Sequence, residues 1–135
     1  YNMKLFGYPE WQTYTDDHLS SFFEMDTYFY SSFYTNNLFP EAVKFIQAYR
    51  RWYSKDMANT FPKYGMLGFD TAYFFLQGLH KYGSNFEDNM NQMQITPIQT
   101  GFKFDRVNNW GGFINRKVFF VNFTKSYELI KLDFE

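Results

Sequence analysis

The 135 residues carry 13 basic and 14 acidic side chains with no run of one sign, a balance that argues against nucleic acid or an anionic membrane surface as partner. Cysteine is absent, which excludes disulfides, thiolate catalysis and zinc–cysteine sites, and no apolar run approaches the roughly 20 residues that span a bilayer. Aromatic content is 25%, with 19 Phe and 12 Tyr, more than one core of this size needs, so part of that surface is expected to meet a ligand, a partner or a further piece of the same protein.

The length suits one domain with a single core. The chain starts at Tyr1, carries no signal peptide and enters a strand-like segment at once, the pattern of a processed or truncated piece. Met3 to Gly7 forms that first strand, closed by Gly7 and Pro9. Thr15, Asp16 or Asp17 then caps a short helix whose apolar positions Leu19, Phe22 and Phe23 recur at i, i+3, i+4. Tyr28 to Tyr34 is a run of aromatics with two small serines and predicts a strand.

Asn36 and Asn37 break that strand, and Pro40 with Glu41 suits the first turn of a helix. Ala42, Phe45, Ile46, Tyr49, Trp52 and Tyr53 mark its core stripe, while Lys44, Arg50, Arg51 and Lys55 mark a solvated face. Phe61 to Leu76 then predicts a strand-to-helix joint: a loop ending at Pro62, a short buried strand from Tyr64 to Leu67, a turn at Gly68, and a helix with Asp70 as N-cap. That helix carries Ala72, Phe75, Leu76 and Leu79 on one stripe and ends at Gly83.

Ser84 or Asn85 caps another short helix through Met90 and Met93, and Gln94 to Pro97 is an irregular connection. The remainder alternates as β structure: Thr100 to Asp105, a turn over Asn108, Asn109, Gly111 and Gly112, a strand from Phe113 to Phe123, and its hairpin partner Tyr127 to Leu132. His18 and His80 lack a carboxylate or second histidine at ligand spacing, so no metal site is expected. Asp105, Asn108 and Asn109 lack the glycine and terminal Glu of a calcium loop and fit a β-turn. No serine has the glycine-flanked elbow of a hydrolase, and no cofactor is expected.

Four segments together resemble, in order and spacing, the C-terminal part of a type I periplasmic binding protein, the family that includes branched-chain amino-acid receptors. They are Leu5-Phe6-Gly7 with Trp11; Tyr28 to Tyr34 followed by Pro40 and a helix with Phe45, Ala48 and Tyr49; Phe61 to Ala72, like the family's "P.-YA-GYDA" element; and Thr100 to Asp105 with Asn108 and the closing hairpin, like its "TG-I-FD-NG" ending. Phe69 and Thr71 depart from the tyrosine and alanine usual there. The resemblance implies an α/β, Rossmann-like layered sheet with flanking helices, a partial binding-protein fold over residues 1–135 that ends in a β-hairpin and belongs to a larger two-lobed protein.

The same resemblance implies a non-enzymatic solute-binding role in the bacterial cell envelope, for an amino acid or a cell-wall-derived fragment, with lobe closure as the functional event. On it, Tyr34 near the lobe crossover and Asp70 at the start of a helix are the ligand-binding candidates, with Tyr64 and Tyr30 behind them. Read without it, Asp70 is an ordinary helix cap and the tyrosines pack a strand. The expected partners are a small amino-acid-like ligand and either an N-terminal lobe or a second copy of the chain. The rival expectation is a structural or interaction domain whose cleft is lost and whose aromatic surface docks on another chain.

Overall fold

The computed structural model describes residues 3–14 and 18–132, so the cap expected at Thr15, Asp16 or Asp17 lies outside the described residues. The elements in order are β1 (Phe6–Gly7), a 3-10 turn (Pro9–Thr13), α1 (Leu19–Glu24), β2 (Thr27–Ser31), α2 (Pro40–Tyr53), α3 (Tyr64–Tyr82), α4 (Phe86–Asn89), β3 (Phe104–Arg106), β4 (Phe113–Asn115), β5 (Phe119–Phe123) and β6 (Leu129–Leu132). The chain is mixed α/β, with a four-stranded sheet ordered β1-β2-β5-β6 and a two-stranded β3-β4 sheet. It divides into two compact units, one of residues 1–32 and 118–135, the other of residues 33–117.

The first unit is the four-stranded sheet and its cover. β1 runs parallel to β2, while β5 pairs antiparallel with both β2 and β6. The parallel pair needs a crossover, and residues 8–26 supply it as the 3-10 turn and α1. Phe29 and Phe123 project from the covered face of the sheet, and their rings meet 5.1 Å apart. Phe22 of α1 packs edge-on to Phe29 at 5.2 Å, and Trp11 stacks on Phe22 at 6.2 Å. Phe6, Tyr30 and Ile130 lie on the opposite face and stay exposed. There Tyr30 stacks on Phe6 with ring centroids 5.8 Å apart. On the same face the Lys4 ammonium donates to Tyr28 Oη at 3.1 Å, and that hydrogen bond is the main reason its pKa rises above the ordinary lysine value.

Gly7 closes β1 as expected, but close approach is what demands it. A Cβ there would stand 2.3 Å from Phe29 Cε1 and 2.7 Å from Trp11 Cε3, and Phe29 is fully buried. Gly7→Ala is therefore expected to lower stability by about 1–3 kcal/mol, the usual range for overpacking a filled core. Urea unfolding followed by circular dichroism reads this directly, and an unchanged midpoint would show that the rings give way.

The second unit is helical with a small hairpin. α2 begins as its proline predicts, with Asn36 Oδ1 accepting the Leu38 N–H at 3.0 Å, and it ends at Ser54 in the left-handed region at φ 52°. Its stripe is shorter than expected. Ala42 is buried and Phe45 and Ile46 pack beside it, whereas Trp52 and Tyr53 are exposed, because the core beneath α2 is built from Met66 and Ile98 at its N-terminal half. Arg50 pairs with Asp56 on the solvent side.

The largest correction concerns α3. Tyr64 to Leu67 is helix rather than strand, there is no turn at Gly68, and the residue before the first turn is Lys63. Gly65 sits in the first turn where a Cβ would meet the Met57 Sδ at 3.0 Å and Tyr49 at 3.2 Å, so it serves close packing. The buried positions are Met66, Asp70, Phe74 and Gly78, spaced by four, and Leu76 and Leu79 of the expected stripe face outward. The helix ends as predicted at Gly83, whose φ is +54° and whose N–H reaches Leu79 O.

Beyond α3, the side chain of Asn115 explains why Phe113 to Phe123 is not one strand. Asn115 Oδ1 accepts the N–H groups of Lys103 and Lys117, and Nδ2 donates to Gly101 O at 2.8 Å, which turns the chain out of β4. The β3-β4 turn is the predicted one. Asn108 Oδ1 accepts the Trp110 N–H at 3.0 Å and Val107 N donates to Gly112 O at 3.0 Å, so the turn is closed by protein atoms. The β5-β6 hairpin also forms where expected, with Thr124 N donating to Glu128 O at 2.9 Å.

Candidate functional site

Asp70 stands in mid-helix with 1% exposure, where an unpaired carboxylate would be prohibitive. It is paired completely. Oδ1 accepts the Ile98 N–H at 2.8 Å, and Oδ2 accepts those of Gln99 at 2.7 Å and Thr100 at 2.8 Å. Three successive amides thus converge on one charged acceptor, an arrangement that fixes residues 98–100 against the helix. Asp70 caps a distant loop and not its own helix.

Gln99 extends the joint in two directions. Its side-chain Oε1 accepts the Lys63 N–H at 3.0 Å and its Nε2 donates to Lys63 O at 3.2 Å, which holds the chain just before α3. Its backbone oxygen accepts the Tyr34 N–H at 2.9 Å, and Phe33 bridges to Thr100. The Thr35 hydroxyl reaches Gln99 Oε1 at 3.5 Å. Thr100 Oγ1 is buried without a hydrogen-bond partner, so the joint keeps one unused polar atom.

The predicted residues are distributed accordingly. Tyr34 and Asp70 come together through residues 98–100, and Tyr64 opens α3 beside Lys63 with its side chain largely exposed. Tyr30 belongs to the other unit, on the uncovered face of the sheet. Comparison with protein-family models, with curated proteins and with solved structures gave no match. Among the described residues no group of three or more His, Asp or Glu is placed to hold a metal ion, and no helix is long and apolar enough to cross a membrane.

Sequence reasoning missed Gln99 altogether. No local pattern marks it, and Pro97, which ends the irregular connection, is the nearest signal. What the arrangement can do is mechanical before it is chemical: it locks the segment that enters the second unit, residues 33–35, to the start and the middle of α3. The Tyr34 side chain is thereby carried on a backbone held by the loop, through Gln99 at Tyr34 itself and through Thr100 at Phe33.

Proposed function

We propose that this chain is part of a non-enzymatic, type I periplasmic-binding-protein-like solute receptor of the cell envelope, taking a small polar ligand such as an amino acid or a cell-wall-derived fragment. One observation carries the reading. Gln99 O accepts the Tyr34 N–H and Phe33 bridges to Thr100, while Asp70 accepts the N–H groups of both Gln99 and Thr100, so the two leading candidates of the resemblance, Tyr34 and Asp70, meet at one joint within the second unit. A fixed backbone at Tyr34 supports it as the leading ligand contact, with Tyr64 behind it in the same unit. Asp70 contributes by holding residues 98–100, and with them the Tyr34 backbone, in place.

The test is thermal unfolding of the full-length protein with a panel of free amino acids and a panel of soluble peptidoglycan fragments. A ligand at about one hundred times its Kd stabilises by about 2.7 kcal/mol, a rise of several degrees in Tm. Tyr34→Phe is expected to keep the unliganded Tm and lose most of the shift. Absence of any shift with both panels overturns the receptor reading.

A further inference from the structure

Trp110 is 99% exposed at the tip of the β3-β4 turn, although tryptophan is on average among the more buried residues. Beside it the same unit carries a groove of about 430 Å³ walled by Phe75, Leu79, Phe86, Met90 and Phe113. Gly111 and Gly112, the residues that follow Trp110, line that groove, and nothing lies within 4 Å of where a Cβ on Gly112 would be. A projecting ring and an apolar socket of a size to take it therefore adjoin on one surface.

We propose that this chain self-associates as a twofold dimer in which Trp110 of each copy seats in the groove of the other. Adjacency of knob and socket makes the surface self-complementary, which is what a twofold contact requires. The walls offer mainly phenyl, leucine and methionine side chains, which suit the faces of an indole. The one acidic side chain in the groove, Glu87, supplies the acceptor that a buried indole N–H needs, and it is already oriented by its ion pair with Arg106.

The size is that of a weak dimer. An indole buries about 150–250 Å² and covers a similar area of wall, so two sockets remove roughly 600–1,000 Å² from water. Val107, exposed and beside Gly111, adds to that area. Interfaces below about 1,200 Å² are characteristic of transient association. This inference uses the second unit alone and stands whether or not the receptor reading does.

Sedimentation velocity of the full-length protein, from about 1 μM to about 1 mM, is expected to show a reversible monomer–dimer equilibrium in the range such an interface supports. Trp110→Ala removes the knob on an exposed turn, and Leu79→Glu spoils the socket at a half-exposed helix position; each is expected to weaken the dimer at least tenfold. Trp52→Ala, which alters another exposed indole, on α2, leaves it unchanged. Mixing the Trp110→Ala and Leu79→Glu proteins pairs an intact knob with an intact socket and is expected to give more dimer than either alone. A wild-type protein that is monomeric across the range overturns the proposal, as does a Trp110→Ala protein that dimerises as the wild type does. Retention of a monomeric wild type on polysaccharide gels, lost in Trp110→Ala, would overturn it in favour of a carbohydrate platform.

Discussion

Replacing Asp70 by alanine is expected to destabilise the protein by about 3–5 kcal/mol, because it leaves the N–H groups of Ile98, Gln99 and Thr100 buried and unanswered at once. Each orphaned donor costs about 1–3 kcal/mol, and the sum falls short of additivity because the loop relaxes as a unit. Asp70→Asn separates charge from shape. The amide keeps the volume and one acceptor oxygen, but its NH₂ group faces an N–H where the second carboxylate oxygen stood, so its stability should lie between wild type and alanine. Urea unfolding monitored by circular dichroism ranks the three proteins. An alanine variant within about 0.5 kcal/mol of wild type, the scale of an ordinary surface change, would mean that the loop finds water or other partners and that Asp70 is no anchor. Amide exchange provides the local readout: residues 98–100 and Tyr34, whose N–H is held by Gln99, should lose protection first.

The same aspartate shows where sequence reading succeeds and where it fails. An Asp followed by Thr, Ala and a run of apolar residues, with glycines and a proline before it, has every local mark of a helix start. Its true partners lie 28 to 30 positions away, and no local pattern encodes that pairing. Once Asp70 is assigned to the interior, the spacing by four of Met66, Asp70, Phe74 and Gly78 becomes a single buried stripe, and the helix extends back over Gly65 and Gly68. Two glycines in a helix disfavour it by about 1 kcal/mol each relative to alanine, so tertiary packing against α2 had to override propensity there. By contrast, α2 was legible because its signals are local: a turn from Asn36, Pro40 at the first position, Glu41 beside the dipole, and an apolar period through Ile46. The β5-β6 hairpin was legible for the same reason, whereas the break between β4 and β5 depends on one side chain, Asn115, bonding across to residues 101 and 103. Of the candidate residues, Tyr34 and Asp70 are linked by way of Gln99, a connection that the sequence does not mark, and Tyr30 lies in the other unit.

Phe74→Ala is the second large effect, expected at about 3–5 kcal/mol, the range for deleting a buried phenyl ring. Phe74 is 1% exposed and sits at the centre of a ring cluster, stacked on Phe102 at 4.4 Å, with Phe104 at 5.4 Å and Phe86 at 5.8 Å. Where within the range the loss falls depends on whether neighbours can collapse into the cavity. Phe86 is the obvious candidate, but its ring lies on the bare backbone of Gly78, so close that a Cβ there would be 2.0 Å away. Moving Phe86 into the void would forfeit that contact, so the cavity should persist and the loss fall at the upper end. Phe75, half-exposed on the next position of the helix, touches the same Phe86 and Phe104 rings at 5.8 and 6.1 Å from the solvent side. Phe75→Ala opens to water and not to a void, so it should cost less than half as much. Equal losses for the two variants would show that α3 can rotate to exchange one ring for the other, and that the stripe from Met66 to Gly78 is not fixed by Asp70.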